Sequence, residues 1–249
     1  MKHRRIILLS ACLPVILSPS YSCAMHISEG ILPFSWALFW FFASAPFLAL
    51  GLRTLARRSE VDLSSKPLVG MVAAVVFVIS CMPIPVPMAG TCSHPCGTGL
   101  AAILLGPTLG VVVAAVALLI QALFLSHGGL STWGANLFSM GVLGSFGGYL
   151  VFRGLRLCRV NLIAAAFMAG VAADWATYAG TALIMAAGIK GESAFWPLAV
   201  KIILAFVPTQ LPLGIIEGVI TAGMISLLRK KRPDLLRRTA LSGFERGGR

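Results

Sequence analysis

Three histidines in this sequence stand beside apolar runs, where they could hold a metal ion: His26, His94 and His127. An ionisable side chain next to lipid-facing segments must find a partner, which makes each of them a functional hypothesis. His26 gains interest if the mature chain begins at Met25, because it is then the second residue. The amine of Met25, the backbone amide nitrogen of His26 and its Nδ1 can chelate one ion through fused five- and six-membered rings.

A fourth nitrogen would complete a square around that ion. All-nitrogen, tetragonal coordination favours Ni(II), Cu(II) or related late first-row ions over Mg(II) and Ca(II), which prefer oxygen. The amide must lose its proton when it binds, so affinity should rise with pH. His94 lies in a segment restrained by Pro95. Its alternative role is a neutral imidazole bonded to a loop carbonyl.

Cys92 and Cys96 flank His94 and leave three interpretations open. They could join the metal site, form a disulfide or fill space as small apolar residues. The first supports a rival hypothesis from a different class: a membrane thiol oxidoreductase or copper-handling protein that uses both thiols and His94.

The N-terminal segment decides whether Met25 can have a free amine. It has a basic start, an apolar stretch over residues 6–17 and small residues at Ser22 and Ala24. This pattern predicts a secretory signal peptide over residues 1–24 that is cleaved before Met25. The alternatives are an uncleaved first helix and a lipid anchor on Cys23.

The composition places these residues in a membrane protein. The chain has 249 residues, of which 58% are hydrophobic and only 11% charged, whereas about a quarter are charged in an ordinary soluble domain. A water-soluble globule is excluded, and the repeated apolar runs predict an all-α, polytopic membrane protein. The formal net charge of +12 then reports membrane topology rather than nucleic-acid binding.

About seven transmembrane helices are predicted within a membrane domain over residues 25–232. Basic loops place the N-terminus outside and the C-terminus, with a basic tail over residues 233–249, in the cytoplasm of a plasma (inner) membrane protein. Residues 97–125 must form a hairpin that turns at Gly106-Pro107, with a short first arm, and all three histidines map to the outer side. The other spans are residues 34–52, 68–82, 135–152, 162–187 and 196–228.

Several motifs resemble one known family, CbiM, the cobalt-binding substrate component of energy-coupling factor (ECF) transporters. They are Met25-His26-Ile27-Ser28-Glu29-Gly30, Cys92-Ser93-His94-Pro95, Gln121 to Asn136 with Ser126-His127-Gly128-Gly129, Asp174-Trp175, and Thr209-Gln210-Leu211-Pro212 with Glu217-Gly218. The resemblance covers nearly the whole mature chain and implies the seven-helix fold of an ECF substrate component. This sequence departs from the family pattern at Cys96, where relatives usually have a residue other than cysteine.

The resemblance also implies a ligand set and partners. The metal ligands carried over are Met25, His26 and His94. From the residues themselves, His127, Glu29 and Asn136 are candidates to contact these ligands rather than the metal. The implied function is capture of Co(II) at the outer face for ATP-driven import that supplies cobalamin biosynthesis, with Ni(II) as the alternative ion. The implied partners are a transmembrane coupling protein, two ABC ATPases and a small accessory membrane subunit, besides membrane lipid.

The remaining polar residues of the predicted spans need partners as well. Asp174 and Glu217 are expected to form interhelical bonds or to contact the coupling subunit, because both lie too far inward to reach an outer-face metal. Gln210 could line or support a site. The sequence contains no Walker motif, no His-Glu-x-x-His and no Ser-His-Asp order, which predicts a non-catalytic subunit without a resident cofactor.

Overall fold

The computed structural model describes residues 23–24, 26–82, 84–86 and 91–238, and most of them lie in helices. Five of these helices are long and apolar enough to cross a membrane, which confirms the predicted all-α, multi-pass fold. Residues 1–22 of the predicted signal peptide, Met25 and residues 239–249 lie outside the described residues. The helices are α1 Phe34–Val61, α2 Ser65–Ser80, α3 Thr98–Leu105, α4 Pro107–Phe124, α5 Trp133–Leu157, α6 Leu162–Ile189, α7 Phe195–Lys231 and α8 Pro233–Arg238.

Two of the seven predicted spans are too short to cross a bilayer. Helix α2 has 16 residues and α3 has 8. At about 1.5 Å per residue α3 covers about 12 Å, against a hydrocarbon core of about 30 Å. The predicted hairpin with a short first arm is confirmed: Gly106 takes φ +93° and Pro107 opens α4.

Helix α3 lies in the interior of the bundle. All of its residues are buried, and it packs against α4, α5 and α6. A Cβ added to Gly99 would stand 3.1 Å from the Ala169 carbonyl oxygen and from Ala173 Cβ in α6. The absence of a side chain at Gly99 therefore allows α3 to approach α6 closely.

The end of α1 corrects one prediction. The apolar run predicts a span that ends at residue 52 and a basic loop after it, but α1 continues to Val61 and includes Arg53, Arg57 and Arg58. Arginine is a good helix former, and backbone hydrogen bonding does not stop where the apolar run does. Arg58 Nη1 donates to the Leu105 carbonyl at 2.9 Å. The guanidinium thus ties α1 to the last turn of α3, whose carbonyls lack partners within the helix.

A small sheet leads the chain into the His94 segment. Strand β3 (Thr91–Ser93) pairs in parallel with β1 (Cys23–Ala24) and antiparallel with β2 (Ile84–Val86), in the order β1-β3-β2. The described residues between α2 and α3 are therefore extended or irregular rather than helical.

The helices alternate in direction, and this sorts the connecting segments into two groups. Residues 26–33, 94–97 and 126–132 meet at one end of the bundle, which we call the histidine end. The arginine-rich termini of α1, α5 and α7 meet at the opposite end, which we call the basic end.

Candidate metal centre

His26 is held at the histidine end by its neighbour Ile27. The backbone amide of Ile27 donates to Asn136 Oδ1 at 2.8 Å, and Asn136 Nδ2 donates back to the Ile27 carbonyl at 3.1 Å. Thr132 Oγ1 also donates to that carbonyl. Asn136 thereby binds the segment much as a neighbouring strand would, and fixes where the backbone of His26 lies.

Asn136 stands at a change of helix type. Residues Leu137–Gly144 of α5 form π-helical turns, and Asn136 directly precedes them. Such turns in an α-helix are often found at functional sites. The contact predicted for Asn136 is therefore made with the backbone of Ile27, next to His26.

His94 follows β3 and is fully buried. Its Nδ1 lies 3.0 Å from the Pro95 carbonyl oxygen, so the alternative of an imidazole bonded to a loop carbonyl holds for this nitrogen. The other ring nitrogen, Nε2, is buried and finds no hydrogen-bond partner among the described residues. Because a carbonyl only accepts, Nδ1 carries the proton and Nε2 presents a lone pair.

Helices α6 and α7 brace the His94 segment from the side. Tyr178 in α6 donates its hydroxyl proton to the His94 carbonyl at 3.4 Å. Gln210 in α7 donates from Nε2 to Ser93 Oγ at 2.7 Å. The expected supporting role of Gln210 therefore falls on the residue just before His94.

His127 lies in the turn after α4, where its ring packs against those of His26 and His94. The turn contains a non-glycine residue, Ser126, at φ +50°, and Gly128 at φ +80°. A Cβ on Gly128 would lie 3.2 Å from His26 Cβ. A left-handed non-glycine residue is strained, and strain of this kind concentrates at functional sites.

The three histidines converge on one point. One ring nitrogen from each lies within 4.8 Å of one from each of the others. The ring centroids are 4.9 Å apart for His26 and His94, 5.3 Å for His26 and His127, and 5.0 Å for His94 and His127. Nε2 of His127, like that of His94, is buried without a partner among the described residues. In this group, the histidine cluster, the Nε2 lone pair of His94 has no donor among the described residues.

Burial favours the neutral form of these imidazoles. It lowers the pKa of His94 to about 3, lowers the pKa of His26 well below its ordinary value and lowers that of His127; neighbouring imidazoles add to the effect on His26 and His94. Neutral imidazole is the form that binds metals. Since the unfolded value is about 6.5, the unfolded chain takes up more protons below that pH, and acidification destabilises the folded state.

Comparison with known proteins agrees with this geometry. The family model described as the cobalt uptake substrate-specific transmembrane region, CbiM, matches residues 26–235, which include every member of the histidine cluster. The chain belongs to the CbiM family. The resemblance carried by the sequence motifs is thereby confirmed.

Two CbiM relatives and a solved structure show how far the similarity extends. A cobalt transport protein CbiM of Geobacter sulfurreducens is 63% identical over 227 residues, or 91% of this chain and 66% of the relative. One from Sorangium cellulosum is 58% identical over 214 residues, covering 86% of this chain and 95% of the relative. The crystal structure of a truncated transition metal transporter matches with TM-score 0.73 at 25% identity, covering 82% of this chain and 98% of that one.

Of the remaining residues predicted for the site of this CbiM family protein, the structure describes Glu29 but not Met25. Met25 is outside the described residues, so the structure describes only the His26 and His94 parts of the ligand set. Glu29 accepts a hydrogen bond from the Ser131 amide at 3.1 Å, and hydrogen bonding to Ser131 lowers the pKa of the Glu29 carboxyl. Glu29 thus anchors the His127 turn.

Sequence reasoning gave no role to Gln121. This residue is buried near the end of α4, and its Oε1 lies 3.3 Å from His26 Nε2. Gln121 could have been found as a polar amide in a largely apolar helix, six residues before His127.

A second buried cluster lies beside the first and involves Cys96, Asp174 and Glu217. Glu217 accepts hydrogen bonds from the backbone amides of Cys96 and Gly97, while Cys96 Sγ lies 3.8 Å from Asp174 Oδ1. Asp174 and Glu217 also hydrogen-bond to each other, so the expected interhelical bonding is present. The expectation that both carboxylates lie far inward from the histidines is wrong, because they contact Cys96, two residues after His94. Cys96 is free, which excludes a disulfide with Cys92 in this structure; the Cys92 side chain is outside the described part.

Proposed function

We propose that this CbiM family protein captures Co(II) at the histidine end through nitrogen ligands alone. The ligands are the amine of Met25, the backbone amide nitrogen and Nδ1 of His26, and Nε2 of His94. The observation that carries the proposal is the buried, unpartnered Nε2 of His94 beside two other neutral imidazoles. An empty lone pair in such a place is costly unless a ligand occupies it.

The choice of ion rests on two arguments of different kinds. Neutral nitrogen donors favour late first-row metals over Mg(II) and Ca(II), and no carboxylate belongs to the histidine cluster. These donors suit Ni(II) as well as Co(II), so Ni(II) is the alternative ion. Cobalt is preferred because the family description and the relatives name it.

Uptake requires energy that partner subunits supply in this proposal. The sequence has no Walker motif, so ATP hydrolysis is assigned to two ABC ATPases, coupled through a transmembrane protein and assisted by a small accessory membrane subunit. The histidine end faces outward and the basic end faces the cytoplasm, in line with the positive-inside bias. The imported cobalt then supplies cobalamin biosynthesis.

The first experiment joins processing to metal content. The protein is purified from membranes, its N-terminus is determined by mass spectrometry, and bound metal is measured after titration with Co(II) and Ni(II). We expect a chain that begins at Met25 and binds one ion. A retained segment 1–24, or a lipid on Cys23, would leave no free Met25 amine and would contradict the ligand set.

The second experiment tests the chelate register. One alanine inserted between Met25 and His26 keeps every side chain but separates the amine from the other two donors, so binding and uptake should be lost. The matched control is one alanine inserted between Gly191 and Glu192, in an exposed turn at the same end. It should bind like the wild type. Full uptake by the first variant would rule out the N-terminal site.

A further inference from the structure

The contact between His26 and Gln121 decides which nitrogen of His26 can bind a metal. His26 Nε2 and Gln121 Oε1 are 3.3 Å apart, and both side chains are buried. A neutral imidazole has one donor nitrogen and one acceptor nitrogen, and its neighbours select which is which. The orientation of the Gln121 amide is therefore the first question.

Ser80 settles that orientation. Gln121 Nε2 lies 3.2 Å from the Ser80 carbonyl oxygen and 3.0 Å from Ser80 Oγ. A backbone carbonyl can only accept, so the NH₂ group of Gln121 must face Ser80 and its oxygen must face His26. A flipped amide would set oxygen against oxygen at Ser80.

Ser80 is itself fixed by its place at the end of α2. Its carbonyl is among the last four of the helix, which lack partners within the helix and need an outside donor. Its hydroxyl proton goes to the Phe77 carbonyl at 2.8 Å, which leaves an oxygen lone pair for Gln121. The hydrogen bonds that join Phe77, Ser80, Gln121 and His26 can therefore run in only one direction, from donor to acceptor.

We propose that Gln121 is a positioning residue that, held by Ser80, fixes His26 as the Nε2–H tautomer and turns the Nδ1 lone pair toward the metal. The amide oxygen only accepts, so Nε2 must donate to it. Nδ1 is the ring nitrogen that closes a six-membered chelate ring with the backbone nitrogen of the same residue; Nε2 lies on the far side of the ring.

The consequence for binding rests on the proposed function, whereas the tautomer itself does not. Without the Gln121 oxygen, His26 can place its proton on Nδ1, where it blocks the chelate. Partners of this kind, which hold a ligating histidine through its other nitrogen, typically contribute about 10–100-fold to metal affinity. We expect a loss of that size.

The test uses Gln121→Met, which keeps the length and most of the volume of the side chain but removes the acceptor. Nitrogen NMR of histidine-labelled, metal-free protein reports the tautomer, and chelator competition gives the Co(II) affinity. In the wild type His26 should be Nε2–H. In Gln121→Met a population with Nδ1–H should appear, and the affinity should fall by about 10–100-fold.

The matched control is Leu118→Ala, one turn earlier on the same helix and equally buried. It should lower the melting temperature yet keep the His26 tautomer and the affinity, which separates positioning from loss of packing. Ser80→Ala keeps the carbonyl and loses only Oγ, so it should change the tautomer and the Co(II) affinity less than Gln121→Met does. It replaces Gln121→Met as the test if Gln121→Met fails to fold.

Two results would overturn the inference: an Nδ1–H tautomer in the wild type, or unchanged tautomer and affinity in both Gln121→Met and Ser80→Ala. Failure of the wild type to bind Co(II) or Ni(II) is a different outcome. It refutes the proposed function, while the tautomer measurement still decides the role of Gln121.

Discussion

The histidine cluster and the Cys96–Asp174–Glu217 cluster are both buried and polar, and one short segment, residues 94–97, contributes to both. They differ in what their acceptor atoms do. Nε2 of His94 and of His127 has no partner among the described residues, whereas each oxygen of Glu217 accepts a backbone N–H and Asp174 Oδ1 lies near the Cys96 thiol, so that Asp174 Oδ2 is the one carboxylate oxygen of the second cluster without a partner among the described residues. Buried polar groups alone therefore do not define a ligand site. Three imidazoles converge in the histidine cluster, and the Nε2 lone pair of His94 is open, whereas most acceptors of the second cluster are already occupied by groups of the protein and hold its structure together.

The largest effect expected from this contrast is on stability. Glu217→Ala leaves the amides of Cys96 and Gly97 buried without an acceptor, at about 1–3 kcal/mol each. We expect a total loss of about 2–6 kcal/mol, seen as a lower melting temperature in detergent and less protein in the membrane. Glu217→Gln keeps one acceptor oxygen and should lose about half as much. A stable Glu217→Ala protein with weak metal binding would instead make Glu217 a ligand.

The pH dependence of binding separates the imidazoles from the N-terminal donors. Because burial lowers the pKa of His26 and His94, both imidazoles stay mostly neutral as the pH falls from 6.5 to 5.5, and over this range the metal competes mainly with protons on the Met25 amine and the His26 amide. Affinity should fall by about two log units per pH unit from pH 6.5 to 5.5. If the slope instead rises toward four log units of affinity per pH unit below pH 6.5, the histidines keep their ordinary pKa.

The His94 ligand is tested by replacing it with alanine. Three nitrogens of the chelate remain but the ion is open to water, so we expect binding about 100-fold weaker with faster exchange and little change in melting temperature. His127→Ala is the comparison within the same cluster and should cost less, since His127 is outside the proposed square. Equal binding by His94→Ala and wild type would refute the fourth ligand.

The smallest effect is expected for the cysteines. Replacing Cys92 and Cys96 together with serine should change Co(II) affinity by less than about threefold, because Cys96 contacts Asp174 rather than the histidine cluster. Stability should fall by about 1 kcal/mol or less. Loss of metal in this variant together with retention in His94→Ala would favour the thiol hypothesis.

Much of the architecture follows from local rules that act along the chain. Apolar run lengths gave the order of the helices, and Gly106-Pro107 marked the hairpin turn. The position of His26 and His94 at one end followed from counting spans. The extension of α1 to Val61 did not follow, since hydropathy ends where the bilayer does but helical hydrogen bonding does not.

The site could be predicted from the sequence only in part. The spacing of Met25 and His26 indicated a chelate, and this stays a prediction because Met25 is outside the described residues. The contact of Gln121 with His26 could not be predicted, because it depends on how α4 is rotated and on where α2 ends. The same holds for Glu217, whose bond to the Cys96 amide joins residues 121 positions apart.

The hydrogen bonds that hold the His26 segment can form only after the ribosome has made their distant partners. Ile27 and Asn136 are 109 positions apart, and Thr132 lies nearly as far along. At about 5–20 residues per second of synthesis, the partners of the N-terminal segment appear about 5–20 seconds after it does. During that interval the first residues have neither Asn136 nor Gln121 to bind. The N-terminus is thus the first part of the centre to be made and the last to be fixed in place.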